Sequence, residues 1–151
     1  MKILIADDSV QKVEDVKNFL LGDFGLSEID ISVTTSFKDT IREITRTDYD
    51  LVILDMSMPS SSGSLSRTSR ALAGKDVLAT VSYRQLKTVK FILFSQFSEF
   101  GRHDDVISLS EIYDSLSEEY SEYLIDFIKY NGSSDLWKVK LESIIRSFKN
   151  D

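Results

Sequence analysis

The sequence predicts an α/β protein with a doubly wound, five-stranded parallel sheet. Short apolar runs alternate with stretches of helical apolar periodicity along the whole chain. Two of the runs, 51–54 (LVIL) and 91–94 (FILF), are apolar at every position, which is typical of strands buried on both faces. Such alternation implies right-handed crossovers, with helices on both sides of the sheet. We therefore expect the strand order 2-1-3-4-5 of flavodoxin-like folds.

The first two units each join a strand to a helix. Residues 2–6 (KILIA) predict the first strand. Apolar residues at helical spacing predict the helix behind it, ending before the glycine at position 22: Val10, Val13, Val16 and Leu20. Residues 29–33 predict the second strand, and Ser36 is the expected N-cap of the next helix. The apolar face of that helix consists of Phe37, Ile41 and Ile44.

The connections around the third and fourth helices are longer than the others. Residues 57–69 carry seven serines and predict a loop. Residues 71–87 look helical in part, although Gly74 interrupts the pattern. The connection 96–123 opens with a polar loop that contains His103 and continues as a helix, whose apolar positions are Leu109, Ile112, Tyr113, Leu116 and Tyr120.

The last unit begins with a fifth strand at residues 124–128. Residues 131–134 (NGSS) predict a turn and helix cap. The closing helix has an amphipathic pattern, with Trp137 expected in or beside the core, and its apolar positions are Leu136, Trp137, Leu141, Ile144, Ile145 and Phe148. We expect residues 1–151 to form one domain without an output domain.

Composition limits the possible functions. The 151 residues carry a net charge of -7, which argues against a nucleic-acid partner and favours protein partners. No apolar run approaches the ~20 residues of a membrane-spanning helix, so we expect a cytoplasmic protein that does not bind membranes. Without cysteine, and with His103 as the one histidine, any metal must be held by oxygen. We expect His103 itself to lie in a surface loop.

Polar side chains stand at the carboxyl ends of four predicted strands. Asp7 and Asp8 follow the first strand, Asp55 the third, Ser95 the fourth and Lys129 the fifth. In open α/β sheets these ends share one edge, where ligands bind. Three carboxylates brought together would repel, raising the pKa of at least one of them, unless a divalent cation and an ammonium offset their charge. Mg²⁺, which prefers hard oxygen ligands, is the expected cation.

These residues resemble the receiver domains of two-component response regulators. Residues 2–9 (KILIADDS) are similar to the first strand and acidic pair of that family, and 51–59 (LVILDMSMP) to its phosphoacceptor strand. Gly63 falls where the family places a glycine. Ser95 matches the hydroxyl residue after the fourth strand, and Lys129 the lysine after the fifth. The resemblance covers essentially the whole chain and implies a flavodoxin-like receiver fold.

The resemblance also implies a role for each residue. Asp55 would accept a phosphoryl group. It would be ionised at neutral pH because an unperturbed aspartate has a pKa of about 3.9, and the metal would keep it so. Ser95 would donate to a phosphoryl oxygen, and the Lys129 ammonium would neutralise charge. The Mg²⁺ ligands would be Asp7 (through water), Asp8, Asp55 and the backbone carbonyl of Ser57. Phosphorylation would then change protein-protein contacts, chiefly at the face of the fourth helix.

The implied partners are a sensor histidine kinase or phosphotransfer protein, a downstream protein target and a second copy of the chain. We expect no enzymatic activity beyond self-phosphorylation from small phosphodonors and slow autodephosphorylation. Gln96, Asp126 and Tyr130 depart from the family pattern, which has a small residue, an aromatic residue and a proline there. They leave open a receiver that acts as a constitutive scaffold. A magnesium-dependent phosphohydrolase is less favoured, because Ser57 occupies the position where that enzyme would need a second acid.

Overall fold

The computed structural model describes residues 1–61, 73–86, 89–97, 99–100 and 106–149. The strands are β1 Ile3–Ala6, β2 Ile31–Thr34, β3 Leu51–Leu54, β4 Lys90–Ser95, β5 Glu99–Phe100, β6 Ile107–Ser108 and β7 Leu124–Lys129. The helices are α1 Val10–Asn18, α2 Phe37–Arg46, α3 Ala73–Arg84, α4 Leu109–Glu119 and α5 Leu136–Lys149. A π-helical turn, Phe19–Asp23, extends α1, and a 3-10 turn, Glu28–Asp30, precedes β2.

Five of the strands form one parallel sheet in the order β2-β1-β3-β4-β7. This confirms the predicted 2-1-3-4-5 order, since β7 is the fifth strand of this sheet along the chain. The two short strands β5 and β6 pair antiparallel in the long connection before α4. A long fourth connection was expected, but this hairpin was not.

The register of the central strands aligns their carboxyl ends. Ala6 lies opposite both Thr34 and Leu54 in the sheet. The next peptide groups continue this pairing, because the Asp7 amide donates to the Thr34 carbonyl and the Asp55 amide to the Ala6 carbonyl, each at 2.9 Å. The carboxylates of residues 7 and 55 are therefore fixed at one edge by the backbone of adjacent strands.

Helices cover both faces of the sheet. One core lies between the sheet and α2, α3 and α4, and the other lies between the sheet and α1 and α5. Every residue of β3 is buried, as the all-apolar run predicted. Trp137 is only 3% exposed, which confirms its predicted place in the core. The doubly wound architecture is thus confirmed.

Serine side chains begin three of the helices. The predicted N-cap Ser36 accepts a hydrogen bond from the Asp39 amide at 3.1 Å, and Ser108 caps α4 in the same way through the Glu111 amide. Ser9 accepts from the Lys12 amide at 3.4 Å and caps α1, two residues after Asp7. Each cap satisfies one backbone donor that would otherwise lack a partner.

Three apolar residues that were predicted to pack in the core are exposed instead. Val10 and Leu136 are the first residues of α1 and α5, and they are 78% and 79% exposed. Ile29 belongs to the 3-10 turn rather than to β2 and is 84% exposed. Helical or strand periodicity alone does not fix where an element begins or whether its first residues are covered by their neighbours.

The sequence predicted that Gly74 would interrupt the helical pattern of residues 71–87, but Gly74 is part of α3. It lies in the first turn of α3 and donates its amide hydrogen to the Met56 carbonyl at 3.1 Å. A Cβ at this position would lie 3.0 Å from both the Asp55 carbonyl oxygen and the Met56 sulfur. The glycine therefore permits α3 to approach the backbone beside Asp55.

Some expectations fall on residues that the structure does not describe. Gly63, most of the serine-rich stretch after position 61, and His103 lie outside the described residues. Within the described part of the chain, none of the helices combines the length and apolar character needed to cross a membrane.

Candidate functional site

Three carboxylates converge at the carboxyl edge of the sheet. Asp7, Asp8 and Asp55 each place one carboxylate oxygen within 4.8 Å of the other two. Asp7 and Asp55 are 1% and 5% exposed, whereas Asp8 is exposed to solvent. The sequence predicted this convergence from the positions of the three residues after β1 and β3.

A buried lysine on α1 joins this cluster. The Lys12 ammonium lies 2.7 Å from Asp7 Oδ2 and 3.3 Å from Asp55 Oδ1. It also donates to the Phe94 carbonyl at 3.4 Å, and its side chain is 2% exposed. An ammonium has three N–H donors, and these three acceptors match that number. Lys12 is therefore a desolvated cation with all of its donors directed at the site.

The two oxygens of Asp7 have different partners. Oδ1 accepts from the Ser9 amide at 2.9 Å, and Oδ2 contacts the Lys12 ammonium. Burial raises the pKa of the Asp7 carboxyl, while the charge and hydrogen bond of Lys12 oppose that rise. Asp7 is accordingly oriented from both sides before any cation binds.

Burial also raises the pKa of Asp55, to about 7. The nearby negative charge of Asp7 adds to the effect, and Lys12 acts in the opposite direction. Without a bound cation, burial and the charge of Asp7 therefore favour the protonated form of Asp55. A cation placed among the three carboxylates would favour the ionised form.

Ser95 and Ser57 flank Asp55. Ser95 is fully buried at the end of β4, where its Oγ accepts from the Phe97 amide at 3.1 Å. Its hydroxyl hydrogen remains a donor for another group. Ser57 is partly buried, two residues after Asp55 and between the buried side chains of Met56 and Met58. Both serines thus lie on segments that start at the carboxyl edge.

Lys129 lies at the end of β7, opposite Ser95 in the sheet, but its side chain is exposed. It lines a cavity of about 310 Å³ together with residues of α5 and the preceding turn, among them Leu136, Trp137 and Lys140. The predicted role of Lys129 beside Asp55 stays a prediction. Among the described residues, it is the Lys12 ammonium that contacts Asp55.

Tyr130, which stands where the family has a proline, is buried in an aromatic cluster. Its ring centroid lies 5.6 Å from that of Phe94 and 5.7 Å from that of Trp137. Its hydroxyl donates a short hydrogen bond to Asp15 of α1. Burial and this bond raise the pKa of Tyr130 to about 12, so the phenol stays protonated and keeps its donor. The cluster supports Phe94, whose carbonyl and ring contact Lys12.

The other two departures from the family pattern are Gln96 and Asp126. Gln96 is exposed. Asp126 pairs with Lys140 of α5 at 3.3 Å, and the neighbouring Phe127 packs its ring against Tyr113 of α4 at a centroid distance of 4.9 Å. An aromatic contact between β7 and α4 therefore exists, but it is made by the residue after position 126, where the family has its aromatic residue.

Sequence reasoning missed Lys12, because a lysine within a helical pattern is ordinarily counted as solvated. One signal was present. Ser9 starts the helix directly at the carboxyl edge, and a residue three positions after that cap lies one turn into α1, close to the strand that carries Asp7. A lysine there has the length to reach an acidic cluster.

The fold matches those of solved receiver domains. A response regulator receiver domain from Methylobacillus flagellatus aligns with a TM-score of 0.61 at 22% identity, covering 97% of each chain. The response regulator TrrA from Thermotoga maritima, solved with Mg²⁺ and beryllofluoride, aligns with a TM-score of 0.59 at 22% identity and covers 95% of this chain and 98% of that one. The fold is that of a response regulator receiver domain.

Two curated relatives align over nearly the full length. The Detocs response regulatory protein DtcB of Enterobacter cloacae is 36% identical over 146 residues, which cover 93% of this chain and 95% of that protein. The uncharacterized protein y4jR of Sinorhizobium fredii is 26% identical, covering 95% of each. No family model matches the chain. On the similarity to the Enterobacter protein, the chain belongs to the response regulator family of two-component systems.

Proposed function

We propose that this chain is a phosphoacceptor receiver, in which Mg²⁺-dependent phosphorylation of Asp55 alters contacts with other proteins. The observation that carries the proposal is the cluster of Asp7, Asp8 and Asp55 with a buried ammonium against Asp55. The family supports a role in phosphorelay signalling. The donor would be a sensor histidine kinase or a phosphotransfer protein, and the recipient of the signal a downstream protein or a second copy of the chain.

The residues present fit a magnesium ion. Three carboxylates offer oxygen ligands within 4.8 Å of one another, and Mg²⁺ prefers hard oxygen donors. Asp8, Asp55 and the Ser57 carbonyl would hold the ion, and Asp7 would bind through a water molecule. When bound, the ion would neutralise charge on the transferring phosphoryl oxygens.

The transfer would begin with attack by one Asp55 carboxylate oxygen on the phosphorus of the donor. A new oxygen-phosphorus bond would form, and the bond from phosphorus to the donor atom would break. That atom, an imidazole nitrogen or an acyl oxygen, would leave with the electron pair. Asp55 needs no base, because its carboxylate has no proton to lose once it is ionised. The protein contributes position and fixed positive charge.

Ser95 would transmit the change at Asp55 to the protein surface. Its buried Oγ currently accepts from the Phe97 amide, in the segment that leads to β5. Donation of the hydroxyl hydrogen to a phosphoryl oxygen would turn the side chain and free the Phe97 amide, changing the connection to α4. Added charge of roughly -1.5 to -2 at Asp55 would bias this rearrangement. The Tyr113 and Phe127 contact between α4 and β7 would respond to it.

The direct test is the intact mass of the protein after incubation with a small acyl phosphate and Mg²⁺. We expect a gain of one phosphoryl group in the unaltered chain, and no gain in Asp55→Ala or with a chelator. Asp50→Ala is a matched control, since Asp50 is an exposed carboxylate just before β3. If neither a small acyl phosphate nor a phosphohistidine donor modifies the protein, phosphorylation is excluded, and a constitutive scaffold becomes the better account.

A further inference from the structure

The site contains its own ammonium, and it comes from α1 rather than from the end of β7. Lys12 Nζ contacts one oxygen each of Asp7 and Asp55, at 2.7 Å and 3.3 Å. Its side chain is 2% exposed, so the charge acts where water screens it least. Any phosphoryl group joined to Asp55 would be attached beside this cation.

The lysine is held at both ends of its side chain. Its backbone amide donates to the N-cap Ser9, which fixes the first turn of α1 against the end of β1. At the other end the ammonium donates to the Phe94 carbonyl and lies 5.7 Å from the centroid of the Phe94 ring. Phe94 itself packs edge-on against Trp137 at 5.8 Å. The aromatic cluster therefore sets the position of the ammonium before any phosphodonor arrives.

Lys129 is placed differently. Its side chain is exposed, and the residue borders the cavity that Leu136 and Lys140 of α5 also line. The adjacent residues Ile128 and Tyr130 are both buried in the core on the α5 side of the sheet. The backbone of Lys129 matches the expected position, opposite Ser95, while its side chain does not share the buried environment of Asp55.

We propose that Lys12 is the phosphoryl-binding cation of this receiver, in the role that the resemblance assigns to Lys129. This inference rests on the proposed phosphorylation of Asp55. The ammonium keeps its proton throughout and forms no covalent bond. As the oxygen-phosphorus bond forms on Asp55, Lys12 exchanges its contact with Asp55 Oδ1 for a phosphoryl oxygen and retains its contact with Asp7.

The exchange also gives Lys12 a link to Ser95. The carbonyl that accepts from Lys12 belongs to Phe94, the residue before Ser95. A shift of the ammonium towards a phosphoryl oxygen would lengthen this 3.4 Å hydrogen bond at the same peptide that positions the serine. The cation and the hydroxyl would thus respond to phosphorylation together.

The test compares Lys12→Met with Lys129→Met, which remove the same charge from the two candidate positions. We expect Lys12→Met to slow phosphorylation of Asp55 by a small acyl phosphate about 100-fold, the order of effect of removing one preorganised charge-stabilising donor. Lys129→Met should change the rate less than about threefold. Lys12→Arg, which keeps a cation, should recover part of the rate.

A second readout separates phosphoryl binding from a purely structural role. Beryllofluoride, a phosphoryl mimic, should no longer bind Lys12→Met in the presence of Mg²⁺, whereas Mg²⁺ alone should bind at least as tightly, because a competing cation has been removed. A structural role would weaken both. In the unaltered chain, the side-chain NMR signal of Lys12 should shift on adding beryllofluoride, and that of Lys129, identified from the Lys129→Met spectrum, should not. This measurement applies even if the Lys12 variants do not fold.

The outcomes distinguish this inference from the function on which it rests. If the unaltered chain is phosphorylated on Asp55 and Lys129→Met abolishes that reaction while Lys12→Met does not, the Lys12 assignment is wrong and the receiver function stands. If the unaltered chain is never phosphorylated and never binds beryllofluoride, the receiver function itself fails. A shift of the Lys129 signal without one from Lys12 would also overturn the assignment.

Discussion

The ammonium of Lys12 lies 3.3 Å from the carboxylate of Asp55, and both side chains are almost completely buried. A buried pair of this kind is stabilising only if its remaining donors and acceptors are also satisfied. Asp7 and the Phe94 carbonyl satisfy the ammonium. The site therefore has an internal cation on one side and the exposed carboxylate of Asp8 on the other. This asymmetry leaves the solvent side of the cluster for a metal ion.

Asp8→Ala should separate metal binding from folding. Asp8 is exposed, so its removal should change the free energy of unfolding by less than about 0.5 kcal/mol. The affinity for Mg²⁺, measured by isothermal titration calorimetry, should fall by at least about tenfold because a ligand is lost. Glu14→Gln removes one charge from an exposed site on α1 and should leave the affinity nearly unchanged. Equal affinity in Asp8→Ala and the unaltered chain would contradict the ligand assignment.

The pKa of Asp55, raised to about 7 from 3.8, predicts a pH-dependent stability without metal. Because the folded protein binds this proton more tightly than the unfolded chain, the contribution of Asp55 is fully present below pH 3.8 and is lost progressively as pH rises from there to about 7. Asp55→Asn mimics the protonated carboxyl. With a chelator present, its stability advantage over the unaltered chain should grow by on the order of 2 kcal/mol between pH 5 and pH 8.

Urea denaturation at the two pH values measures this difference. Asp48→Asn, at an exposed position, should alter stability similarly at pH 5 and pH 8. A stability difference between Asp55→Asn and the unaltered chain that does not grow with pH would show that the carboxyl is ionised across this range.

Tyr130→Phe should destabilise the protein by about 1–2 kcal/mol, because it removes a hydrogen bond to the carboxylate of Asp15 and leaves that group partly buried. Tyr83→Phe is the matched control. Tyr83 is 89% exposed, so the loss of its hydroxyl should change the free energy of unfolding by less than about 0.5 kcal/mol. Equal effects of the two substitutions would mean that the Tyr130 hydroxyl makes no net contribution.

Gly74→Ala should affect both stability and the site. The added Cβ would meet the Asp55 carbonyl oxygen and the Met56 sulfur at 3.0 Å, which forces α3 or the loop after β3 to move. We expect destabilisation of about 1–3 kcal/mol, typical of overpacking, and slower phosphorylation of Asp55. Gly22→Ala is the control, because its Cβ would have no neighbour within 4 Å. Unchanged stability in Gly74→Ala would show that α3 adjusts without strain.

The sequence was sufficient to predict the sheet and the three carboxylates. Interior strands are apolar at every position, so β3 and β4 could be identified directly, and the residue after each strand was then placed at the shared edge. Asp7, Asp8 and Asp55 followed from that rule alone. The position of these residues depends on the order of strands and helices, which local sequence patterns predict well.

Lys12 and Lys129 show where prediction from the sequence stops. Strand ends place a backbone position, but the direction and burial of a long side chain depend on the elements packed against it. Lys129 has the expected backbone position and an exposed side chain, whereas Lys12 extends into the site from a helix. Clustering of the carboxylates predicted a raised pKa for at least one of them, but the depth at which Asp55 is buried, the largest cause of its raised pKa, depends on distant segments.

The most direct test of the central claim is chemical mapping of the modified residue. After incubation with a small acyl phosphate and Mg²⁺, borohydride reduces an aspartyl phosphate to homoserine, which mass spectrometry of peptides can locate. Our account predicts homoserine at position 55, dependent on both Mg²⁺ and the phosphodonor. Homoserine at another aspartate, or none at position 55 when intact mass shows a phosphoryl group, would contradict it.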